Sequence, residues 1–218
     1  MSKKIKNNQY NGHDFVEIAG IKWATCNVGA EKTTDIGLYF QWGDRKGYTS
    51  DEVGNVKRFD DDSYKHCKYN TVIGKNKYYN GKCLTKYTQF DNKHVLDLCD
   101  DAAFAYMGKG WRMPTDDDFR SLIVNTRPTW IDNYQNSGID GMLCNDITGD
   151  TKELFFPAAG HCYKNNIEYE CGCYWSRSLA SNGTFGNAYL MYFDDKTVRW
   201  DSIGIRLYGF SIRGILTD

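Results

Sequence analysis

Apolar and polar residues alternate over short stretches along most of the chain, a pattern that predicts many short β-strands. Near the N-terminus, residues 15–18 and 21–26 flank Gly20 and predict a hairpin, and residues 37–43 predict a further aromatic strand. In the second half of the chain, strands are predicted at residues 141–144, 153–160, 173–176, 188–193, 197–200 and 209–213.

Two segments between these strands have helical periodicity instead. The first helix is predicted over residues 97–107 and ends at Gly108. The second follows Pro114, with Thr115 as N-cap and with the aspartates at 116–118 facing the positive end of the helix dipole. We interpret these aspartates as a solvated helix start rather than as metal ligands. The apolar stripe of this helix is Phe119, Leu122 and Ile123.

The order strands, two helices, strands predicts an α+β fold with antiparallel sheets, because a parallel sheet would need alternating strands and helices. Residues 1–14 are polar and are expected to form an N-terminal arm, followed by one domain over residues 15–218. Within the domain, residues 44–95 have weak periodicity and are interpreted as a long insertion. Its tyrosines predict that it packs onto the domain; they are Tyr64, Tyr69, Tyr78, Tyr79 and Tyr87.

Composition narrows the functional classes. The 218 residues carry a net charge of −1, whereas nucleic-acid-binding domains usually carry a basic excess. Aromatic residues make up 15% of the chain, which argues against disorder. No run of 18 apolar residues is present, so no membrane insertion is expected, and the N-terminus has no apolar segment typical of a signal peptide.

The eight cysteines are expected to be mostly free thiols, since a chain without a signal peptide is made in a reducing compartment, and whether any of them form disulfides is left open. His161 and Cys162 precede Cys171 and Cys173 closely enough to suggest a zinc site. However, no pair has the Cys-x₂-Cys spacing of common zinc motifs, so these are interpreted as structural thiols and no metal or other cofactor is predicted.

Seven ordered blocks together resemble the C-type-lectin-like domains that are abundant in gut bacteria and their phages. The blocks cover residues 23–30, 37–43, 100–103, 111–115, 156–160, 174–176 and 209–213. The resemblance implies a C-type-lectin-like fold of the subtype shared with formylglycine-generating enzymes. It further implies similarity to the target proteins of diversity-generating retroelements, whose variable segment lies between the last two of these blocks. In this sequence that segment is residues 177–208.

The composition of residues 177–208 agrees with adenine-directed randomisation of Asn codons, which cannot produce Glu, Gln, Lys, Met or Trp. The segment contains no Glu or Gln and only Lys196, Met191 and Trp200 from the other three types. It is rich in Tyr, Ser, Gly and Asn, as binding loops of antibodies are. Surface hairpins with turns have a similar composition, so this alternative stays open.

Strand alternation divides the segment into two faces. Tyr189, Met191 and Phe193 are expected to be buried together with Val198 and Trp200. The residues expected to face outward or to lie in loops, and so to bind a ligand, are Arg177, Ala180, Ser181, Gly183, Thr184, Phe185, Leu190, Tyr192, Asp194, Arg199, Asp201, Ser202, Gly204, Leu207 and Tyr208. Packing of some of these aromatics under the insertion at 44–95 is the alternative.

These features predict a non-enzymatic binding protein, the diversified target protein of a retroelement. Its expected partner is a protein or glycan receptor on a cell surface, and its expected location is a phage tail or a bacterial surface, as a monomer or homotrimer. A formylglycine-generating oxidase is less well supported, because no cysteine follows Cys173. A calcium-dependent sugar-binding lectin would carry Glu-Pro-Asn or Gln-Pro-Asp and Trp-Asn-Asp signatures, and this sequence has none of them.

Overall fold

The computed structural model of the protein describes residues 8–55, 59, 63–68, 83–88, 91–147, 152–164, 166–180 and 186–217. These residues form a mixed α+β fold in which strands predominate. The strands are β1 Asn8–Tyr10, β2 His13–Ile18, β3 Ile21–Asn27, β4 Cys67–Lys68, β5 Cys83–Leu84, β6 Trp111–Arg112, β7 Thr126–Ile131, β8 Gly141–Asp146, β9 Glu153–Pro157, β10 His161–Tyr163, β11 Asn166–Glu168, β12 Gly172–Leu179, β13 Asn187–Phe193, β14 Val198–Ile205 and β15 Arg213–Leu216. The helices are α1 Ser50–Val53, α2 Ala102–Met107 and α3 Asp116–Val124, with 3₁₀ turns at Leu98–Asp100 and Tyr134–Asn136.

The strands form small antiparallel sheets, as the sequence predicts. A five-stranded sheet in the order β1-β2-β3-β15-β6 brings the last strand beside the first ones, and β7-β8-β9 and β12-β13-β14 form two three-stranded sheets. The pairs β10-β11 and β4-β5 form two further ladders. Of the helices in the described part of the chain, none has the length and apolar character needed to cross a membrane.

The helix starting at Thr115 is confirmed. The Thr115 hydroxyl accepts a hydrogen bond from Asp118 N at 3.1 Å, and the Asp118 carboxylate accepts one from Thr115 N at 2.7 Å. Thr115 and Asp118 therefore form a capping box at the start of the helix. The helix predicted over residues 97–107 is interrupted, because Asp101 is extended and its side chain caps α2 by accepting from Phe104 N at 3.0 Å.

Two predicted elements near the N-terminus differ from the structure. Part of the expected arm is sheet: β1 pairs with β2 across a turn in which Asn11 and Gly12 both have positive φ, the conformation that Asn-Gly favours in hairpins. The predicted aromatic strand at 37–43 contains only isolated bridges at Tyr39 and Phe40. Its backbone bonds instead to separate parts of the chain, since Phe40 N donates to Phe210 O at 3.0 Å and the Trp175 indole donates to Phe40 O at 2.8 Å.

Two apolar clusters form the core on opposite faces of the sheet β12-β13-β14. One contains Trp42, Trp111 and Trp175, and the other contains Trp23 and Phe119. All five side chains are at most 1% exposed. The tryptophans of the motif blocks thus build the scaffold, and helix α3 covers one face of the sheet.

Arg213, which is 0% exposed, joins three parts of the chain. Its guanidinium donates to Asn27 Oδ1 at 3.0 Å, to Ala24 O at 3.0 Å and to Thr25 O at 2.6 Å, all in β3. A further bond reaches Phe155 O in β9 at 2.9 Å. These oxygens replace the water that a buried cation would otherwise need.

A second buried arginine, Arg206, holds the described part of the 44–95 insertion against the domain. Its guanidinium donates to Tyr64 Oη at 2.8 Å, and to Tyr87 O and Lys86 O at 3.0 Å each. It also lies 4.8 Å from the ring centre of Trp42, a cation–π contact. Tyr64 and Tyr87 are buried, so this part of the insertion packs onto the domain, while Tyr69, Tyr78 and Tyr79 lie outside the described residues.

Removing the Arg213 guanidinium is expected to destabilise the fold. Arg213→Met would leave the buried carbonyls of Ala24, Thr25 and Phe155 without this donor, at about 1–3 kcal/mol for each unsatisfied group. We expect a loss of at least about 3 kcal/mol in the free energy of unfolding, measured by urea denaturation. The exposed Arg120 is the control, since Arg120→Ala should change it by less than about 0.5 kcal/mol. Equal stability of the two variants would contradict this role.

A second prediction concerns pH. Burial lowers the pKa of His66 to about 4, with Asp100 opposing this effect and Lys65 and Arg206 adding to it. The unfolded imidazole has a pKa of about 6.5, so between about pH 6.5 and 4 the unfolded state binds a proton that the folded state does not. Stability should therefore fall as the pH drops through this range, by up to about 2–3 kcal/mol.

The test compares urea denaturation of the wild type and of His66→Gln at pH 7, 5.5 and 4.5. Because all other titrating groups are common to both proteins, the difference between the two stability curves isolates His66. We expect the variant to lose less stability on acidification. Parallel curves would show that His66 does not cause the pH dependence.

Candidate functional site

The sheet β12-β13-β14 presents one face to α3 and the other to a cleft. Register pairs Cys173 with Tyr192, and Tyr192 with Arg199, so these three side chains follow one another across the cleft face. On the opposite face, Met191 and Phe193 are at most 1% exposed and pack near α3. Their predicted burial is confirmed, whereas Tyr189, Val198 and Trp200 are only half-buried.

The cleft has a volume of about 1440 Å³. One wall is β13 and the edge strand β14, and the other is the hairpin β10-β11 with the segment leading into β12. Eight of the predicted ligand-binding residues line it: Leu190, Tyr192, Asp194, Arg199, Asp201, Ser202, Gly204 and Tyr208. These residues are spread along the sequence, but in the folded protein they line one cleft.

Polar groups at one end of the cleft are held in fixed positions. The Tyr192 hydroxyl donates to Asp194 Oδ2 at 2.8 Å, and Asp194 Oδ1 accepts from Lys196 N at 2.9 Å and Thr197 N at 2.6 Å. The Lys196 N–H and these other donors lower the pKa of Asp194, while burial and the bond to Asp194 raise the pKa of Tyr192. At neutral pH the cleft therefore presents a fixed carboxylate beside a neutral phenol.

Aromatic rings form the other end. The Tyr208 ring is parallel to that of His161 at 6.0 Å between centres and lies 4.7 Å from that of Tyr163. Phe210 meets Tyr208 edge-on at 6.2 Å. Phe210 is buried, whereas the partly exposed rings of Tyr208, His161 and Tyr163 suit stacking against an aromatic, sugar or guanidinium group.

Three soft donors lie in the wall between these ends. Cys171 Sγ is 3.8 Å from Cys173 Sγ, and His161 also contacts Cys171. The hydrogen bond between Cys171 and Cys173, together with His161, lowers the pKa of Cys171. The same hydrogen bond raises the pKa of Cys173. The contact with Cys171 raises the pKa of His161. Cys162, although adjacent to His161 in sequence, is buried in a separate cluster with Tyr39 and is not part of this group.

Three of the predicted binding residues lie away from the cleft. Arg177 donates through Nη2 to Leu96 O and has Nε 3.9 Å from Asp101 Oδ2, so its charge supports the domain rather than facing a ligand. Ala180 is 5% exposed, and Leu207 is 6% exposed. Leu207 packs with Tyr64 and Leu84 of the insertion, and the half-buried Tyr208 packs against the same cluster, as the alternative interpretation anticipated for some of the aromatics.

Leu190 lines the cleft but is 3% exposed, so its predicted exposure is wrong. The cleft face continues into the core around Trp175 and Phe210, and both faces of β13 are therefore covered at this position. Ser181, Gly183, Thr184 and Phe185 are outside the described residues.

The wall formed by residues 161–173 was not predicted as part of the binding surface. Its cleft-lining residues are His161, Ile167, Glu168, Tyr169, Glu170, Cys171 and Cys173. The sequence signal for this wall was a histidine that lies close to several cysteines. We interpreted these cysteines as structural thiols. Ile203 and Ile205, exposed by 47% and 40% on the edge strand, also line the cleft without having been predicted.

Gly204 is expected to resist substitution. A β-carbon there would lie 2.6 Å from the Phe210 ring and 2.9 Å from Leu190 Cδ2, both buried. Gly204→Ala should therefore lower the free energy of unfolding by about 1–3 kcal/mol, measured by urea denaturation. Ser202→Ala, on the same strand, should stay within about 0.5 kcal/mol of the wild type. Unchanged stability of Gly204→Ala would mean that the position can vary freely.

In comparisons with protein-family models, with curated proteins and with solved structures, no match to this chain is found. The functional assignment therefore depends on the geometry of the cleft and on the motif blocks of the sequence.

Proposed function

We propose that the protein has a C-type-lectin-like fold and is a non-enzymatic binding protein whose ligand occupies the cleft beside β13 and β14. The observation that carries the proposal is the convergence on one cleft of eight predicted binding residues from the 177–208 segment. Binding surfaces of this kind combine rigid aromatic anchors with adaptable hydrogen-bonding groups. Tyr192 and Tyr208 supply the first type here, and Ser202 and Asp201 the second.

The charge of the cleft favours a particular class of partner. Carboxylates in its lining come from Glu168, Glu170, Asp194, Asp195 and Asp201. Among the described residues that line the cleft, Arg199 is the one arginine or lysine, so carboxylates outnumber these cationic groups. A receptor surface that presents lysine, arginine or hydroxyl groups is therefore the best complement. Proteins and glycans on cell surfaces present such groups, in keeping with a role on a phage tail or a bacterial surface.

Diversification by a retroelement is the more specific part of the proposal. In the described residues of the segment, partly or fully exposed cleft residues such as Tyr192 and Arg199 are interspersed with buried ones such as Met191, Phe193 and Arg206, as a variable surface on a constant scaffold requires. The test is the coding DNA: a reverse-transcriptase gene and a near-repeat of the sequence encoding residues 177–208 should lie close to this gene. Their absence would remove diversification and leave the binding proposal standing.

Binding itself is tested with the triple variant Tyr192→Ala, Arg199→Ala and Tyr208→Leu. We expect it to lose retention on intact bacterial cells and on immobilised glycans to which the wild type binds, because it removes two anchors and the cationic group. The melting temperature should fall by no more than a few degrees, since none of the three side chains is fully buried.

The matched control replaces exposed residues outside the cleft, Tyr10→Ala, Arg120→Ala and Arg127→Ala, and should bind as the wild type does. Equal binding by the cleft variant and the control would reject the cleft as the binding site. Loss of binding in both would point to a contact surface elsewhere.

One observation keeps formylglycine-type oxidation as a second candidate function: two thiols, those of Cys171 and Cys173, lie in the cleft. In the enzymes that the sequence resembles, the functional cysteines come later in the fold, whereas these precede the block at 174–176. Copper-dependent oxidation of a cysteine-containing peptide is the deciding assay. If the wild type oxidises this peptide and Cys171→Ser does not, an enzymatic function would replace the binding proposal.

A further inference from the structure

The histidine and cysteines in the cleft wall have an arrangement that neither ligand binding nor packing explains. His161 begins β10, Cys171 directly precedes β12, and Cys173 is its second residue. One ligand atom from each lies within 4.8 Å of those of the other two. Cys171 and Cys173 are two residues apart in an extended segment, so both side chains leave the backbone on the same side.

The backbone around the cluster keeps the three side chains together. Gly160 and Gly172 form a bridge, with Gly160 N donating to Cys171 O at 2.7 Å. A β-carbon on Gly160 would lie 1.9 Å from Glu168 O, and one on Gly172 would lie 2.0 Å from the Phe193 ring. Both glycines therefore allow a close approach that larger residues would prevent, and they place the donors on rigid strand ends.

The separation of the sulfur atoms suits a particular ion. With Zn–S bonds of about 2.3 Å and tetrahedral angles, two cysteine ligands of one Zn²⁺ lie about 3.8 Å apart. Cys171 Sγ and Cys173 Sγ are 3.8 Å apart. Imidazole and thiolate are the preferred donors for Zn²⁺, whereas Ca²⁺ and Mg²⁺ prefer oxygen.

Two neighbouring residues flank the histidine ring. Glu168 Oε2 lies 3.7 Å from His161 Nε2, and the Tyr208 ring is parallel to the imidazole. A carboxylate beside a histidine is the usual partner that fixes the ring of a metal ligand. Because all three donors line the cleft, a fourth coordination position would face its interior.

We propose that His161, Cys171 and Cys173 bind one Zn²⁺ ion with its fourth position open to the cleft. Binding forms two Zn–S bonds and one Zn–N bond and releases one proton from each thiol, with no change of oxidation state. The proposal goes beyond ligand binding, because the ion is held by the wall at 161–173, outside the segment 177–208.

A second group of possible donors, Asp97, Cys99 and Asp100, is a poorer site. Lys86 Nζ lies 2.7 Å from Asp97 and 2.5 Å from Asp100, and Lys65 Nζ lies 2.7 Å from Asp100. These ammonium groups already neutralise the carboxylates and would repel a divalent cation. This cluster therefore supplies a control with the same Cys→Ser change.

The experiment uses the full chain, reduced and stripped of metal, titrated with Co²⁺ and then with Zn²⁺ in competition with a chromophoric chelator. We expect one Co²⁺ per chain, with the near-ultraviolet thiolate charge-transfer band and the intense visible bands of tetrahedral cobalt, displaced by one equivalent of Zn²⁺. Cys171→Ser and His161→Asn should each weaken Zn²⁺ binding by more than about 100-fold, since losing a ligand costs more than losing a residue that orients one. Cys99→Ser should bind Zn²⁺ as the wild type does.

Absence of the charge-transfer band in the wild type, or its loss in Cys99→Ser with retention in Cys171→Ser, would overturn the proposal. If Cys171→Ser fails to fold, as judged by circular dichroism, the proposal is tested by the Zn²⁺ affinity of His161→Asn and by the Co²⁺ spectrum of the wild type. The titration contains no receptor or glycan. Its failure would therefore leave the proposed binding cleft in place, and a failed binding assay would leave the metal site in place.

Discussion

The buried guanidinium of Arg213 is the interaction on which the rest of the architecture depends. It accounts for the position of the last strand beside β3 and for the approach of β9, because its donors must find acceptors once water is excluded. The same region carries the cleft sheet: Trp175 N donates to Ser211 O at 3.0 Å, and Asn27 Nδ2 donates to Tyr174 Oη at 3.1 Å. The sheet that lines the cleft is therefore anchored to a buried network of hydrogen bonds, and such a network tolerates few alternative arrangements.

Arg206 plays the corresponding part at the edge of the cleft. It lies one residue after the end of β14 and binds the insertion through Tyr64 and the backbone at Tyr87. As a result, buried and cleft-lining residues are direct neighbours in sequence. Arg206 and Leu207 are buried, and Tyr208, which follows them, faces the cleft. A segment that varies in sequence could keep this cleft only if Arg206 and its buried neighbours stayed constant.

The two walls of the cleft have different chemistry. Both walls carry carboxylates, but the wall from β13 and β14 adds aromatic and hydroxyl groups, and the opposite wall adds thiols and an imidazole. Tyr208 connects the walls through its contact with His161. A ligand in the cleft would therefore contact the aromatic and hydroxyl groups of one wall and the thiols and imidazole of the other.

The sequence by itself determined the features that depend on neighbours along the chain. These include the cap of α3 at Thr115, the class of fold, the buried side of β13 at Met191 and Phe193, and eight of the twenty residues that line the cleft. The tertiary structure decided what depends on distant contacts: the burial of Leu190 and Leu207, the supporting role of Arg177, and the meeting of His161 with Cys171 and Cys173. The physical reason is that alternation shows which residues share a face of a strand, whereas only the packing of other elements decides whether that face meets water.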